Sequence, residues 1–265
     1  MSEQPATGYR LTFARVLRSE WTKLISIRST WIVLAVVALV TVGLAGAIGW
    51  SGRTAAGSHV SVATVSAHAF QGVDLFSLVL GVFGIVAVTG EYGSGAIRAT
   101  LTAVPRRLPV LWAKALVLVG AAAPVMLASC VAAVYATQIF DPSAGRIGLN
   151  DGALLRATLG AAVAPLTMAV LGVAIGTMLR HTAAAITTFV VAMLVLPAVL
   201  PAVLPGSAGD RIIPYVPVAA SQALYTGTGD NPFRLLSPGP ALATLVVWMI
   251  IALAGAATVL ERRDA

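Results

Sequence analysis

Glu91 and Arg98 stand seven residues apart in a short glycine-rich segment, Gly90-Glu91-Tyr92-Gly93-Ser94-Gly95-Ala96-Ile97-Arg98, which runs on through Thr100, Leu101 and Pro105 to Arg106 and Arg107. Seven residues make two helical turns, so on a helix over residues 91–101 the two charges face one side and suit contact with a second protein. Pro105 is placed to stop that helix before the next apolar run. Glu91 has no role toward lipid and is expected to bind either a basic residue of the preceding amphipathic segment or the partner protein. Arg106 and Arg107, with Lys114 further on, suit lipid phosphate at the inner leaflet, Lys114 by snorkelling back to the face.

The chain carries no pattern for bond-making chemistry. There is no G-x-x-x-x-G-K-[ST], and no Gly-Lys pair at all, so nucleotide is not expected to be held here in the P-loop manner. H-E-x-x-H and G-x-S-x-G are absent too. His59 and His68 read as solvated loop residues and His181 as a turn residue, with no carboxylate or cysteine at ligand spacing. Cys130 sits alone in an apolar run and reads as a small buried side chain. Catalytic residues, cofactors and metals are therefore expected to be absent from this chain.

The elements that position the charged segment follow from composition. Of 265 residues, 58% are hydrophobic and 10% charged, and the apolar residues gather in blocks near the roughly 20 residues that cross a bilayer. Six spans are predicted, at about 30–50, 70–90, 109–133, 153–179, 183–204 and 241–260, with the segment 91–107 gripped between the second and third. Residues 9–28 form a basic amphipathic helix: Phe13, Val16, Leu17, Trp21, Leu24, Ile25 and Ile27 share one side, Arg15, Arg18 and Lys23 the other, and Glu20 and Arg28 interrupt the apolar arc. It reads as an elbow in the headgroup plane leading into the first span.

Within the spans, Gly172 and Gly176 form a G-x-x-x-G pair, used either inside one subunit or at a dimer seam. Pro124 is expected to kink the third span, and Pro197, Pro201 and Pro205 to bend or break the fifth. Asp74 is placed near the outer end of the second span, within reach of water. Residues 51–69 read as a polar outer loop, and the proline-rich stretch 205–240 as a re-entrant or interfacial segment, too apolar for a free loop and too broken to span. The expected fold is an all-α polytopic membrane protein.

Six spans put both termini on one side. That side carries 12 of the 17 Lys and Arg residues, whereas the 10 acids divide evenly. The bias is the positive-inside pattern, so a multi-pass protein of the cell membrane is expected, with both termini and the segment 91–107 cytoplasmic. The net charge of +7 belongs to these flanks, so membrane lipids rather than nucleic acid are the expected contacts.

Two segments resemble a known family. Glu20-Trp21-Thr22-Lys23-Leu24 with Arg28-Ser29-Thr30-Trp31 is similar to the N-terminal elbow of actinobacterial type-2 ABC transporter permeases. Glu91-Tyr92, Gly95, Ile97-Arg98, Thr100-Leu101, Pro105-Arg106-Arg107 and Lys114 resemble the loop between their second and third spans. Gln222, after Tyr215-Val216-Pro217, looks like their outer segment before the last span, while Ile25 stands where these proteins often carry a basic residue. The resemblance implies one permease domain over 1–265, a homodimer or paired permease, and a separate ABC ATPase subunit that binds ATP and Mg. It makes 91–107 the coupling loop and the task export of an amphipathic substrate (drug, peptide or lipid-like). An ion-coupled secondary carrier and a membrane anchor or sensor without transport are the alternatives.

Overall fold

In lipid, a backbone must satisfy its own N–H and C=O groups, and runs this apolar do so as helices. The computed structural model describes residues 12–52, 61–97, 107–140, 147–204, 207–226 and 235–262, and every regular element in them is helical. In chain order these are α1 (Phe13–Ser26), α2 (Arg28–Gly52), α3 (Val62–Phe70), α4 (Val73–Gly93), α5 (Leu108–Phe140), α6 (Gly152–Leu179), α7 (Thr182–Val190), a π turn (Val191–Val195), α8 (Leu196–Val203), α9 (Ser207–Ile212), a 3-10 turn (Ile213–Tyr215), α10 (Pro217–Tyr225) and α11 (Pro238–Arg262). Six stretches are long and apolar enough to cross a membrane: α2, α4, α5, α6, the run Thr182–Val203 and α11. The protein is an all-α polytopic membrane protein.

The core is built around α6, the most enclosed span. It is 72% buried, against 17% for Thr182–Val203 and for α11. Packing between apolar helices in lipid lacks a strong hydrophobic drive and depends on close backbone approach. The contact of α4 with α6 meets that need with glycines on both sides. A Cβ at Gly172 would overlap the carbonyl of Gly81, and one at Gly84 would overlap the carbonyl of Ala169. A Cβ at Gly176 would lie 3.1 Å from the carbonyl oxygen of Ile85. The G-x-x-x-G pair is thus used inside the chain, against α4.

The elements depart from the sequence expectation in four places. The third span runs on to Phe140 as one helix that contains Pro124. The stretch 51–69 contains α3, capped by Ser61, whose hydroxyl accepts the Thr64 N–H at 3.1 Å, so His68 is a half-buried helix residue. The fifth span does not break at Pro197. A proline lacks an N–H and crowds the carbonyl four residues back, and the π turn immediately before it loosens the ladder where that crowding falls. The helix ends at Val203, with Leu204 extended ahead of Pro205.

The fourth departure is at the end of the bundle away from α1. Asp74, half-buried, accepts the Gln222 amide N–H at 2.8 Å and the Tyr225 hydroxyl at 2.6 Å, two partners that the sequence did not point to. Burial and the neighbouring Asp74 carboxylate both push the Tyr225 phenol well above its ordinary value. These bonds fasten α10 to α4, and Gly160 of α6 sits so close to the Leu224 carbonyl that a Cβ there would overlap it. The described parts of 205–240 are folded onto the bundle.

Overpacking a close helix contact costs roughly 1–3 kcal/mol or more. Gly172→Leu is therefore expected to lower the thermal midpoint of the detergent-purified protein by many degrees. Gly43→Leu, at a glycine with nothing within 4 Å of an added Cβ, is expected to leave it within a few degrees.

Candidate functional site at the elbow

Val16, Glu20 and Leu24 recur every four residues on α1 and share its buried face, which packs on α5. The helix period thus carries a carboxylate into the packed side, where Glu20 is only 4% exposed. A charge in that position requires an opposite charge. Lys114 supplies it from one and a half turns inside α5, with its amine 2.7 Å from Glu20 Oε2. The expectation that Lys114 snorkels to lipid phosphate gives way to this geometry, since its side chain is 10% exposed and turned inward.

The last turn of α4 brings Glu91 to the same place. Glu91 Oε1 lies 2.7 Å from the Lys114 amine and 3.3 Å from that of Lys23. Lys23 in turn lies 2.6 Å from Glu20 Oε1. Two acids and two lysines from α1, α4 and α5 close a ring. Of the two roles open to Glu91 from sequence, the geometry provides the bond to the elbow.

The ring shifts the pKa of two of its members. Burial alone would raise the Glu20 pKa, but the Lys114 and Lys23 ammonium groups outweigh it and hold Glu20 below its ordinary value. Burial alone would lower that of Lys23, but Glu20 and Glu91 outweigh it and hold Lys23 above its ordinary value.

The elbow bend is fixed by side chains of α2. Ile27 is extended and ends α1. Thr30 then donates its hydroxyl to the Leu24 carbonyl at 2.8 Å, and Trp31 its indole N–H to the Ile25 carbonyl at 2.9 Å. Both satisfy carbonyls that the end of α1 leaves free. Trp21 lies partly exposed over α5 near Gly120, and Arg28 is exposed at the start of α2.

The segment after α4 is not one helix over 91–101. Glu91 and Tyr92 belong to α4, which ends at Gly93, and Gly95 adopts φ +74°, a left-handed conformation that breaks the helical register before Ala96 and Ile97. Glu91 therefore does not continue onto one face with later residues. Arg98, Thr100, Leu101, Pro105 and Arg106 lie outside the described residues. Arg107 is described and donates Nη1 to the Leu260 carbonyl at 3.2 Å, which joins the start of α5 to the end of α11.

Two further contacts that sequence reasoning missed complete this end. Arg180 holds the left-handed C-cap of α6 with φ 56°, and its guanidinium lies 5.3 Å from the Tyr92 ring centroid. Thr182 donates to Thr89 at 2.9 Å. The Lys114 pairing had a signal in the sequence: a base inside an apolar run and an acid inside an apolar arc are two misplaced charges of opposite sign. Among the described residues, no three His, Cys, Asp or Glu gather to hold a metal ion.

A six-span helical bundle with an amphipathic elbow bonded to the ends of two spans is the architecture of a multi-pass membrane protein. Residues 16–199 match the family model described as ABC-2 family transporter protein, so the chain belongs to that family. It is thus a permease subunit of an ABC transporter, a membrane component whose ATPase is a separate subunit. No curated protein matches the chain.

Removing one partner from a buried charge network leaves the others uncompensated, at a cost of about 3–5 kcal/mol. Lys114→Met leaves both acids with only the more exposed Lys23 and is expected to lower the thermal midpoint sharply. Lys23→Met is expected to lower it less, because Lys23 is 38% exposed and Lys114 still holds both acids. The network also gives stability a pH window. The share from Glu20, whose folded pKa is depressed, is present above the ordinary carboxylate value near 4.5 and is lost as pH falls through the folded value. The share from Lys23, whose folded pKa is raised, is present below about 10.5 and is lost as pH rises through the folded value. A melting series against pH is expected to be flat near neutrality and to fall at both ends, with a smaller acid-side fall in Glu20→Gln.

Proposed function

We propose that the chain is the membrane subunit of an exporter, and that a separate ATPase acts on it at the elbow end. ATP and Mg are bound by that ATPase, the permease works as a pair, and the cargo is amphipathic: a drug, a peptide or a lipid-like molecule. In this reading both termini and the segment 91–107 are cytoplasmic, which the excess of Lys and Arg on that side supports.

One observation carries the reading. The segment leaves α4 three residues after Glu91 and enters α5 six residues before Lys114, and these two side chains are bonded to each other and to the elbow. A force applied to it therefore reaches α1, α4 and α5 as one body. Gly95 gives the segment its departure angle, because a positive φ costs an ordinary residue about 1–2 kcal/mol.

The test is reconstitution in liposomes together with the ATPase subunit that copurifies in mild detergent, read as ATP-driven movement of a fluorescent amphiphile. Proline cannot adopt a positive φ, so Gly95→Pro is expected to reduce ATP-driven movement at least 10-fold while the protein still inserts. Full activity in that variant contradicts the coupling role, and movement driven by an ion gradient without ATP contradicts the exporter reading itself.

A further inference from the structure

α2 and α4 part on their way through the bundle. α2 leans on α5, where Thr137 donates its hydroxyl to the Ala45 carbonyl at 3.3 Å, whereas α4 lies on α6 through its glycines. At the end away from the elbow the two still meet, since a Cβ at Gly72 would lie 3.0 Å from the Leu44 side chain. At the elbow end a cavity of about 360 Å³ separates them, lined by Thr30 of α2, by the last three turns of α4 and by Val117 and Leu118 of α5. This volume falls within the roughly 300–1,000 Å³ of small-molecule sites.

The cavity is long rather than round. Phe83, Val86, Ala87, Gly90, Glu91 and Ser94 all line it and recur every three or four residues, so one face of α4 and its cap walls it for about 16 Å. Most of the remaining wall is apolar, and its charged part is the ring. There Glu20 gives one oxygen to each lysine, Glu91 Oε1 takes both lysines, and Glu91 Oε2 is sealed from the cavity. The carboxylates are thus spent on the protein itself, and what the cavity offers a guest is apolar contact. Apolar cavities take up hydrocarbon rather than water, and a chain lying along these walls gains dispersion contact over its whole length.

We propose that one acyl chain of a bilayer phospholipid enters between α2 and α4 and lies along α4 in this cavity, with its head left at the rim beside Lys23. The bilayer is the source that the opening faces, because Ile27, Val86 and Gly90 line the cavity and are themselves exposed on the outside of the bundle. Recognition is by the chain and the shape of the space, and the head is not selected. The assignment goes beyond the export reading, since occupancy needs neither ATP nor a second subunit.

A side chain at position 90 projects along the same face as Phe83, Ala87 and Ser94, and a Cβ added there meets nothing within 4 Å. Gly90→Leu therefore takes up the space without striking a neighbour. The experiment uses the full-length protein, purified in detergent from liposomes of phosphatidylcholine that carries a diazirine midway along one chain. Native mass spectrometry reads the lipid retained after a wash that strips the rest, and photolysis followed by peptide mapping reads where its chain lies. One lipid per protein chain is expected to be retained and to cross-link within residues 83–90. Gly90→Leu, with a melting midpoint near that of the parent, is expected to retain at least 10-fold less. Gly43→Leu, the same addition at an exposed position of α2, is expected to retain as much as the parent. No retained lipid, cross-links confined to other helices, or equal retention by Gly90→Leu overturns the proposal. So does binding of lysophosphatidylcholine, but not of phosphatidylcholine, to the delipidated protein, which would assign the site to a free single-chain amphiphile. ATP-driven transport in the same liposomes tests the export reading separately.

Discussion

A charge carried into a packed, apolar environment has to be compensated there, and at the elbow end this requirement organises the structure. Glu20 arrives because α1 is helical and position 20 falls on its packed side. Lys114 arrives because α5 starts at Leu108 and runs without a break. Neither has water enough to stand alone, so the two helices are locked in one register by the need to pair. Glu91 then joins α4 to the same amine, and Lys23 closes the ring from the rim. Such a ring is a poor source of net stability, since desolvation offsets much of the Coulomb gain. What it supplies is position: an apolar surface lets helices slide, whereas a short ion pair does not.

The same logic appears at the other end, where the donors are neutral groups. Asp74 receives an amide and a phenol from α10, and these bonds set where the segment before α11 sits on α4. Between the two polar ends, α4 and α6 meet through glycines close enough that a single methyl would strike backbone. α4 is thus the common member. It is fixed to α10 at its start, to α6 along its length and to α1 and α5 at its end, and it is the helix from which the 91–107 segment departs.

The fold was legible where one physical signal dominated. Runs of apolar residues gave six spans, since hydropathy measures what lipid selects. The arc of α1 gave the elbow, and the family match over 16–199 agrees with the resemblance carried by the residues around Glu20 and Glu91. Helix ends were less legible, because apolarity continues past Ala133 to Phe140 with no proline or glycine to mark a stop. The left-handed break at Gly95 was missed because a helix over 91–101 ignored what a glycine in that position allows. Lys114 was read from its sequence neighbours alone, as a base near a membrane face. Its partners lie 94 residues earlier and 23 residues earlier, and only the packing of α1, α4 and α5 brings them together. The partners of Asp74 were hidden for the same reason, since they lie about 150 residues away.

The central claim is that Lys114 and Glu20 act as one unit that holds the elbow to α5. A double-mutant cycle of Lys114→Met and Glu20→Leu, read as unfolding free energy of the purified protein in one detergent, measures that coupling directly. Residues in one ion-pair network are expected to couple by about 0.5–3 kcal/mol, so the double variant should be more stable than the sum of the two single losses allows. Losses that add to within about 0.3–0.5 kcal/mol would contradict it.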